Sequence, residues 1–194
     1  MTTAVLRPSR ASPLSRLTPT ACAVGCILPL LCGYPPETMG TQVCGRAVIL
    51  ARVATCEITT HSAEETIAFG RTLGDLLAPP KLVLLHGDLG AGKTTLVKGI
   101  AQAFAAASEE DVTSPTFTLI HEYRGPHATL YHIDLYRVDT PRELQTLALD
   151  DLIAPNSILL IEWGEKFKRF QRERDVEIQL ESVGENDRRI RVTT

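Results

Sequence analysis

A glycine-rich segment between an apolar run and a helical pattern constrains the fold of this chain more than any other feature. The apolar run is Leu82–Leu85, and residues 87–94 then read Gly-Asp-Leu-Gly-Ala-Gly-Lys-Thr. After this segment Leu96, Ile100 and Phe104 recur every four residues, which is the spacing of one helix face. Strand, loop and helix in this order, with G-x-x-x-x-G-K-T in the loop, form the pattern of a phosphate-binding P-loop.

Each residue type in the loop has a physical role in holding a polyphosphate. The glycines allow conformations and close approaches that a Cβ would obstruct, so backbone N–H groups can turn inward around the phosphates. The start of the following helix adds free N–H donors and a partial positive charge. Lys93 is expected to reach the β- and γ-phosphates, and the Thr94 hydroxyl to ligate Mg²⁺. The predicted nucleotide-binding residues are Gly87, Asp88, Leu89, Gly90, Ala91, Gly92, Lys93, Thr94 and Thr95.

Residues 54–194 are predicted to form a P-loop NTPase domain with an α/β fold, in which a central mixed β-sheet is flanked by helices. The apolar run at 157–161 suits a fully buried central strand. Two strands joined by Gly125-Pro126 suggest an antiparallel pair beside the P-loop core. The predicted strands cover residues 55–59, 82–85, 116–123, 129–136, 157–161, 176–180 and 188–192, the last two as a terminal hairpin.

Two capping boxes mark helix starts outside the P-loop. The sequences S-A-E-E at residues 62–65 and T-P-R-E at 140–143 both match this motif. The first of these helices is predicted to end near residue 79, and the second near residue 147. Residues 166–174 are rich in Lys and Arg, and we expect them to form an exposed segment.

Two carboxylates are candidates for the Mg²⁺ chemistry of a P-loop NTPase, which needs an acid at the end of a buried strand. Glu162 fits by position, because it follows the apolar run at 157–161. Asp134, within the predicted strand 129–136, is the second candidate. The alternative for either residue is a strand-end acid that caps a helix or pairs with Arg137.

The polar loop after the P-loop helix carries two hydroxyls, those of Ser114 and Thr116. A switch that senses the γ-phosphate often lies at this position, although an ordinary turn would have the same composition. The five histidines are scattered along the chain, and we interpret all of them, His132 included, as structural. Trp163 lies beside Glu162 and is expected near the nucleotide.

Residues 1–53 differ from the rest in composition, with six prolines and five arginines against the single acid Glu37. The apolar stretch 21–33 is too short to span a bilayer. A basic, acid-poor start also resembles a signal or transit peptide, but export would separate a P-loop from ATP. We predict an N-terminal extension outside the working fold, either a disordered tail or the product of a start codon assigned too far upstream, with Met39 as an internal candidate.

Charge and cysteine usage exclude some classes of protein. The net charge of −3 argues against a protein that grips nucleic acid mainly by its own basic surface. All five cysteines lie at or before Cys56 without a C-x-x-C pair, which disfavours a disulfide framework and a zinc site. A P-loop domain with so little cysteine fits a reducing compartment that contains ATP, so we expect a cytoplasmic location.

The motifs that are missing favour ATP over other nucleotides. A GTPase needs N-K-x-D, and neither Asn156 nor Asn186 lies in that context. The transporter signature L-S-G-G-Q and the dinucleotide fingerprint G-x-G-x-x-G are absent as well. ATP and Mg²⁺ are therefore the predicted cofactors.

Four segments together resemble the TsaE (YjeE) family: GDLGAGKTT at 87–95, SPTFTLIHEY at 114–123, YHIDLYR at 131–137 and LIEWGE at 160–165. The resemblance covers roughly residues 55–194, and four linked motifs in the right order are more specific than the P-loop alone. One departure is Gly164, where the family usually has proline.

This resemblance implies a small ATPase required for making threonylcarbamoyladenosine in bacterial tRNA. The implied partners are TsaD and TsaB homologues, which carry out the transfer with threonylcarbamoyl-AMP from TsaC, so tRNA is reached only through the complex and no membrane is involved. The resemblance also implies that Thr94 and Glu162 are the Mg²⁺ ligands and that Asp134 is the catalytic residue. Nucleotide contacts near Thr66 and from the C-terminal hairpin are implied as well.

Two other functional classes stay open at this point. A nucleotide-dependent binding module would share the P-loop but show negligible turnover. A small-molecule kinase would share the P-loop and the Mg²⁺ site but needs an acceptor pocket and an arginine-rich lid. Candidate lid residues are Lys166, Lys168, Arg169, Arg172 and Arg174, although a solvated charged face is the preferred explanation for them.

Deleting residues 1–51 is expected to leave the folded domain intact, because the predicted fold begins after this segment. The free energy of unfolding should change by less than about 0.5 kcal/mol, as for changes away from packed features. Urea unfolding and calorimetric ATP titration of the full and shortened chains test this. A large loss of stability would mean that the segment packs on the domain.

Overall fold

The computed structural model describes residues 54–194, and the predictions about residues 1–53 lie outside this range. Seven strands run β1 (Thr55–Thr60), β2 (Lys81–His86), β3 (Ile120–Arg124), β4 (Thr129–Asp134), β5 (Ser157–Glu162), β6 (Val176–Ser182) and β7 (Arg188–Thr193). Four α-helices accompany them, α1 (Ala63–Gly74), α2 (Lys93–Ala103), α3 (Pro141–Thr146) and α4 (Lys168–Glu173), with 3₁₀ turns at Leu149–Leu152 and Gly164–Lys166. Among the helices of this described part, none is long and apolar enough to cross a membrane.

One mixed sheet joins all seven strands in the order β1-β7-β6-β2-β5-β4-β3. Strand β2 is parallel to β5 and β6, and β4 is parallel to β5. The outer pairs β3–β4, β6–β7 and β1–β7 are antiparallel. The predicted mixed α/β sheet and the terminal hairpin are therefore confirmed, and so is the antiparallel pair beside the P-loop core, which β5 separates from the P-loop strand β2.

Strand register brings the predicted site residues together at the carboxyl ends of the parallel strands. Glu162 lies opposite Leu85 of β2 on one side and opposite Asp134 of β4 on the other. Because these strands are parallel, their carboxyl ends meet where β2 runs into the P-loop and α2 begins. Ligands of open α/β sheets bind at this kind of edge.

The sheet separates two apolar cores, which explains why all six residues of β5 are buried. On one face Leu85 and Leu160 pack with Ile100 of α2. On the other face Ile161 packs with Phe167 and Phe170, which belong to the segment around α4. The prediction that residues 166–174 form an exposed basic segment is thus wrong in part, because two phenylalanines anchor the segment while its charged side chains face outward.

Two predicted elements differ from the structure by more than two residues at one end. The segment 116–119 does not extend β3, because Leu119 adopts a φ of 67° and its N–H donates to the carbonyl oxygen of Pro115 at 2.6 Å. Helix α1 ends at Gly74 instead of near residue 79. Both differences shorten a regular element in favour of a turn that packs on the domain.

The two predicted capping boxes also differ. At Thr140 both halves are present, because its hydroxyl accepts from the N–H of Glu143 and the Glu143 carboxylate accepts from the N–H of Thr140. At Ser62 the hydroxyl accepts from the N–H of Glu65. The Glu65 carboxylate, however, accepts from the N–H of His61, the residue before Ser62. Each hydroxyl satisfies a free N–H group in the first turn of its helix.

Helices α1 and α2 approach closely enough that glycine is required where they cross. A Cβ built on Gly99 would lie 2.0 Å from the carbonyl oxygen of Ile67, and one on Gly70 would lie 2.3 Å from that of Leu96. Both obstacles are backbone atoms, which cannot move aside as a side-chain tip can. This crossing fixes α2, and with it the residues that follow the P-loop, against the rest of the domain.

Replacing Gly99 with Ala is therefore expected to destabilise the domain. On an exposed helix the same change gains up to about 1 kcal/mol of helix propensity, but here overpacking should cost about 1–3 kcal/mol or more. Urea unfolding measures the change. The control is Thr72→Ala, which also creates an alanine but removes atoms from the exposed side of α1 and adds none at the crossing, so it should be nearly neutral; equal effects would contradict the steric explanation.

Candidate nucleotide-binding site

The P-loop follows β2 directly, and its three glycines all have positive φ angles. These are 143° at Gly87, 80° at Gly90 and 99° at Gly92, the last being the N-cap of α2. A Cβ on Gly87 would also lie 2.4 Å from the carbonyl oxygen of Leu180 in β6. The predicted strand, loop and helix are therefore present, with glycine where the backbone requires it.

Lys93, the first residue of α2, points back into this loop. Its ammonium donates to the carbonyl oxygens of Gly87 at 2.7 Å and Asp88 at 3.1 Å. The ammonium also lies 4.7 Å from the centre of the Trp163 ring and 3.7 Å from Glu162 Oε2. The side chain is only 5% exposed, so its charge is balanced by these neighbours more than by water.

Glu162 ends β5 and is the acid nearest to the P-loop lysine. Its Oε1 accepts a hydrogen bond from Nε2 of His132 at 2.8 Å and another from the Thr94 hydroxyl at 3.4 Å. Glu162 is therefore surrounded by one hydroxyl, one imidazole and one ammonium, all on the face of the sheet that α2 covers. The structure brings together Lys93, Thr94 and Glu162, as the sequence predicted.

Asp134 ends β4 and has a separate set of donors. Its Oδ2 accepts from the Thr116 hydroxyl at 2.6 Å and from that of Ser114 at 3.5 Å, while Oδ1 accepts from the N–H of Tyr136 at 2.9 Å. The N–H of Asp134 donates to the carbonyl oxygen of Leu119. The loop at 114–119 is therefore tied to Asp134 at both of its ends, to the carboxylate through Ser114 and Thr116 and to the backbone through Leu119.

Several side chains around the site are exposed despite being apolar or aromatic. Leu89 at the tip of the P-loop is 82% exposed, and Phe117 on the loop at 114–119 is 81% exposed. The Arg137 guanidinium lies 4.3 Å from the centre of the Phe117 ring. Arg137 thus stacks on an aromatic ring, a geometry that stabilises the cation, and the alternative of a pair between Asp134 and Arg137 is not what the structure shows.

Trp163 occupies a left-handed conformation with a φ of 61°, directly after Glu162. Its ring lies 5.2 Å from that of Tyr136, which brings the ends of β4 and β5 together. At the next residue, Gly164, a Cβ would lie 2.7 Å from Cδ2 of Leu84, so glycine suits the packing here. Non-glycine residues with positive φ store strain, which often occurs at functional sites.

The C-terminal hairpin reaches the P-loop through Arg188. The Cγ and Nε atoms of Arg188 lie 3.8 Å from the position of a Cβ on Gly92. Nη1 of Arg188 donates to the carbonyl oxygen of Asp187 at 2.9 Å and to others of the hairpin turn. The Thr66 hydroxyl, in contrast, is buried and bonded to Thr60 and to the carbonyl of Ser62, so its side chain faces the fold.

The oxygen donors of the site fit Mg²⁺, a hard cation that prefers carboxylate, hydroxyl, phosphate and water oxygens. Thr94 and Glu162 supply such oxygens within one hydrogen-bond length of each other. Within residues 54–194 no group of three or more His, Cys, Asp or Glu side chains could hold a metal ion without other ligands. Mg²⁺ usually takes one or two protein ligands together with the phosphates of a nucleotide.

Reasoning from the sequence missed one residue of this site, His132, which had been interpreted as structural. Its spacing was an available signal, because residues 132 and 134 point to the same face of a strand. That face also carries Leu130, which packs in the core beneath α2. A polar residue on a buried strand face, two positions before a candidate acid, indicates a contact with the site.

Comparison with known proteins tests the family resemblance. The sequence model of the family described as "Threonylcarbamoyl adenosine biosynthesis protein TsaE" matches residues 60–190. The chain belongs to the TsaE family. The match includes the P-loop, both carboxylates and most of the terminal hairpin, and confirms the resemblance that the four motifs indicated.

Individual TsaE relatives and one solved structure resemble most of the described domain. The tRNA threonylcarbamoyladenosine biosynthesis protein TsaE of Rickettsia bellii is 37% identical over 133 residues, which are 69% of this chain and 91% of that protein. The protein of the same name from Treponema pallidum is 36% identical over 133 residues, covering 69% and 96%. The crystal structure of YdiB from Bacillus subtilis has a TM-score of 0.57 and 30% identity, and the alignment covers 74% of this chain and 87% of that one.

Proposed function

We propose that this protein is the ATP-binding and ATP-hydrolysing subunit of the bacterial machinery that makes threonylcarbamoyladenosine in tRNA, acting with TsaD and TsaB homologues. The observation that carries the proposal is the convergence of Lys93, Thr94, Asp134 and Glu162 on one edge of the sheet, beside a glycine-rich loop. Membership of the TsaE family supports the biological context, since the relatives' names refer to this modification.

In this proposal the P-loop binds the triphosphate of ATP. The N–H groups at the start of α2 and the ammonium of Lys93 supply positive charge to the phosphates. In the structure Lys93 donates to the carbonyl oxygens of Gly87 and Asp88. Exchanging these neutral acceptors for phosphate oxygens gives stronger, charge-assisted hydrogen bonds, so nucleotide binding should draw the lysine away from the loop carbonyls.

Thr94 and Glu162 are proposed to hold Mg²⁺, directly or through water. A bound Mg²⁺ would neutralise charge that develops on the phosphates during transfer. The hydrogen bond between the Thr94 hydroxyl and Glu162 Oε1 shows that the two oxygens already lie at one place. The ligands therefore need little rearrangement when the ion and the nucleotide arrive.

Asp134 is the proposed catalytic residue, with the task of orienting the attacking water. A carboxylate in this position acts mainly in the transition state, so it affects turnover more than binding. Its contacts with Thr116 and Ser114 link it to the loop at 114–119, which is suited to sense the γ-phosphate. Arg188 is the hairpin residue best placed to contact the nucleotide, because its side chain already lies against Gly92.

Partners are proposed to add positive charge at the γ-phosphate to that of Lys93. In GTPases an arginine provided by a partner raises the rate by about 10³–10⁵. The exposed Leu89 and Phe117 beside the site are the kind of side chains that a partner covers. Since ATP and tRNA are both cytoplasmic, we infer that the protein acts in the cytoplasm and reaches tRNA only through the complex.

The kinase alternative gains little from the basic segment at 166–174. Arg169 donates to Asp150, and this contact lowers the pKa of the Asp150 carboxyl. Lys166 donates to Asp139 and Arg174 pairs with Glu177. Three of the five candidate lid residues are therefore engaged with neighbouring acids. The other alternative, a nucleotide-dependent binding module without turnover, is distinguished from an ATPase by measuring phosphate release.

Replacing Lys93 with Ala is expected to weaken ATP binding by about ten- to a hundredfold, since a charge-assisted hydrogen bond contributes roughly 1.5–3 kcal/mol. Calorimetric titration with MgATP measures the change. The control is Lys98→Ala in the same helix, because the Lys98 side chain pairs with the exposed Glu109 at 3.9 Å and with no other acid among the described residues. A folded Lys93→Ala protein with wild-type affinity would exclude the P-loop as the phosphate site.

Replacing Asp134 with Ala should leave ATP affinity nearly unchanged and abolish the partner-stimulated rate. The wild type is expected to hydrolyse ATP weakly alone and much faster with TsaB and TsaD homologues. Steady-state phosphate release with and without the partner pair tests both points, while Trp163 fluorescence follows nucleotide binding because its ring lies near Lys93.

A matched control for this experiment is Asp151→Ala, an exposed acid in the 3₁₀ turn Leu149–Leu152, which should retain stimulation. Full turnover by the wild type without partners would reject the dependence on a complex. Normal stimulated turnover by Asp134→Ala would reject the role of this carboxylate.

A further inference from the structure

His132 is fully buried, and the proposed function gives it no task. It lies on β4 opposite Leu160 of β5, on the face of the sheet that α2 covers. A buried polar side chain costs free energy unless its hydrogen bonds are satisfied. Among the described residues, its hydrogen-bond partner is Glu162, whose Oε1 lies 2.8 Å from Nε2.

The two oxygens of Glu162 face competing neighbours. Oε1 faces His132 and the Thr94 hydroxyl, whereas Oε2 lies 3.7 Å from the Lys93 ammonium. Both charged side chains are 5% exposed, so water screens their attraction only weakly. If Glu162 closed onto Lys93, the lysine would be less available to phosphate and the carboxylate less available to a cation beside Thr94.

We propose that His132 is a positioning residue that prevents this closure. Its Nε2–H holds Oε1 of Glu162, so the carboxylate stays aligned with the Thr94 hydroxyl and does not form a tight ion pair with Lys93. This inference rests on the proposed function, because its consequence is a site prepared for Mg²⁺ and nucleotide together. Replacing a residue that hydrogen-bonds to a metal ligand and orients it commonly lowers metal affinity by about 10–100-fold.

The geometry also fixes the tautomer that this role requires. A carboxylate oxygen can only accept, so the hydrogen of the imidazole must be on Nε2. Nδ1 is buried and has no partner within residues 54–194. The neutral tautomer with hydrogen on Nε2 leaves only a lone pair at that position, and no N–H group is left without an acceptor.

Two substitutions separate the hydrogen bond from simple packing. His132→Gln keeps an N–H donor at about the same reach, whereas His132→Leu fills the space without a donor. The control is His121→Leu on β3, directly opposite His132 in the sheet, because His121 contacts the Tyr123 hydroxyl and not Glu162. Urea unfolding of each variant reports any loss of stability separately.

The measurement is the affinity for the non-hydrolysable analogue β,γ-imido-ATP, by calorimetry, once with Mg²⁺ and once with EDTA. The ratio of the two affinities reports how well Mg²⁺ and nucleotide bind together, without any turnover. We expect His132→Leu to lower this ratio by about 10–100-fold, and His132→Gln and His121→Leu to stay near the wild-type ratio. An unchanged ratio in His132→Leu, or equal losses in the Leu and Gln variants, would overturn the proposal.

Nitrogen-15 NMR of the ligand-free wild type provides a second readout that does not depend on how the variants fold. The proposal requires the chemical shifts of an imidazole with its hydrogen on Nε2, and a hydrogen on Nδ1 alone would overturn it. Failure of the proposed function would look different. A wild type whose affinity is the same with Mg²⁺ and EDTA would argue against Mg²⁺ at this site before His132 is considered.

Discussion

The burial of two opposite charges, Lys93 and Glu162, is the constraint on which the site depends. Removing both side chains from water costs more free energy than their mutual attraction provides, unless further hydrogen bonds satisfy them. The P-loop, α2 and β4 supply these hydrogen bonds. The carbonyl oxygens of Gly87 and Asp88 accept from the ammonium, and His132 and Thr94 donate to the carboxylate. The parallel register of β2, β5 and β4 brings all of these groups together.

The position of α2 depends in turn on the packing of its backbone against α1. The crossing of Gly70 and Gly99 brings the backbones of α1 and α2 nearly into contact. Since Lys93 and Thr94 form the first turn of α2, a shift of this helix would move both away from Glu162. Catalytic geometry is sensitive to displacements of about 1 Å. The positions of Lys93 and Thr94 therefore depend on an apolar contact that lies about two helical turns further along α2.

Local sequence patterns predicted those parts of the fold that are set locally. The P-loop, the buried strand β5 and the capping box at Thr140 each carry their own signal within a few residues. The turn at residues 116–119 was missed because it depends on a bond from Thr116 to Asp134, eighteen residues away. Phe167 and Phe170 were hidden among basic residues, and the contact of His132 with Glu162 depends on pairing between β4 and β5.

The two acids of the site are connected to different parts of the protein. Glu162 is bonded to His132 in the core, whereas Asp134 is bonded to Thr116 on a loop whose neighbouring side chain, Phe117, lies almost entirely in solvent. Within the proposed function, a partner that covers Phe117 contacts the loop that donates to the Asp134 carboxylate, whereas Glu162 accepts from His132 and Thr94 in the buried part of the site. This separation allows ATP to be held by the buried part of the site while a partner controls hydrolysis through the exposed loop.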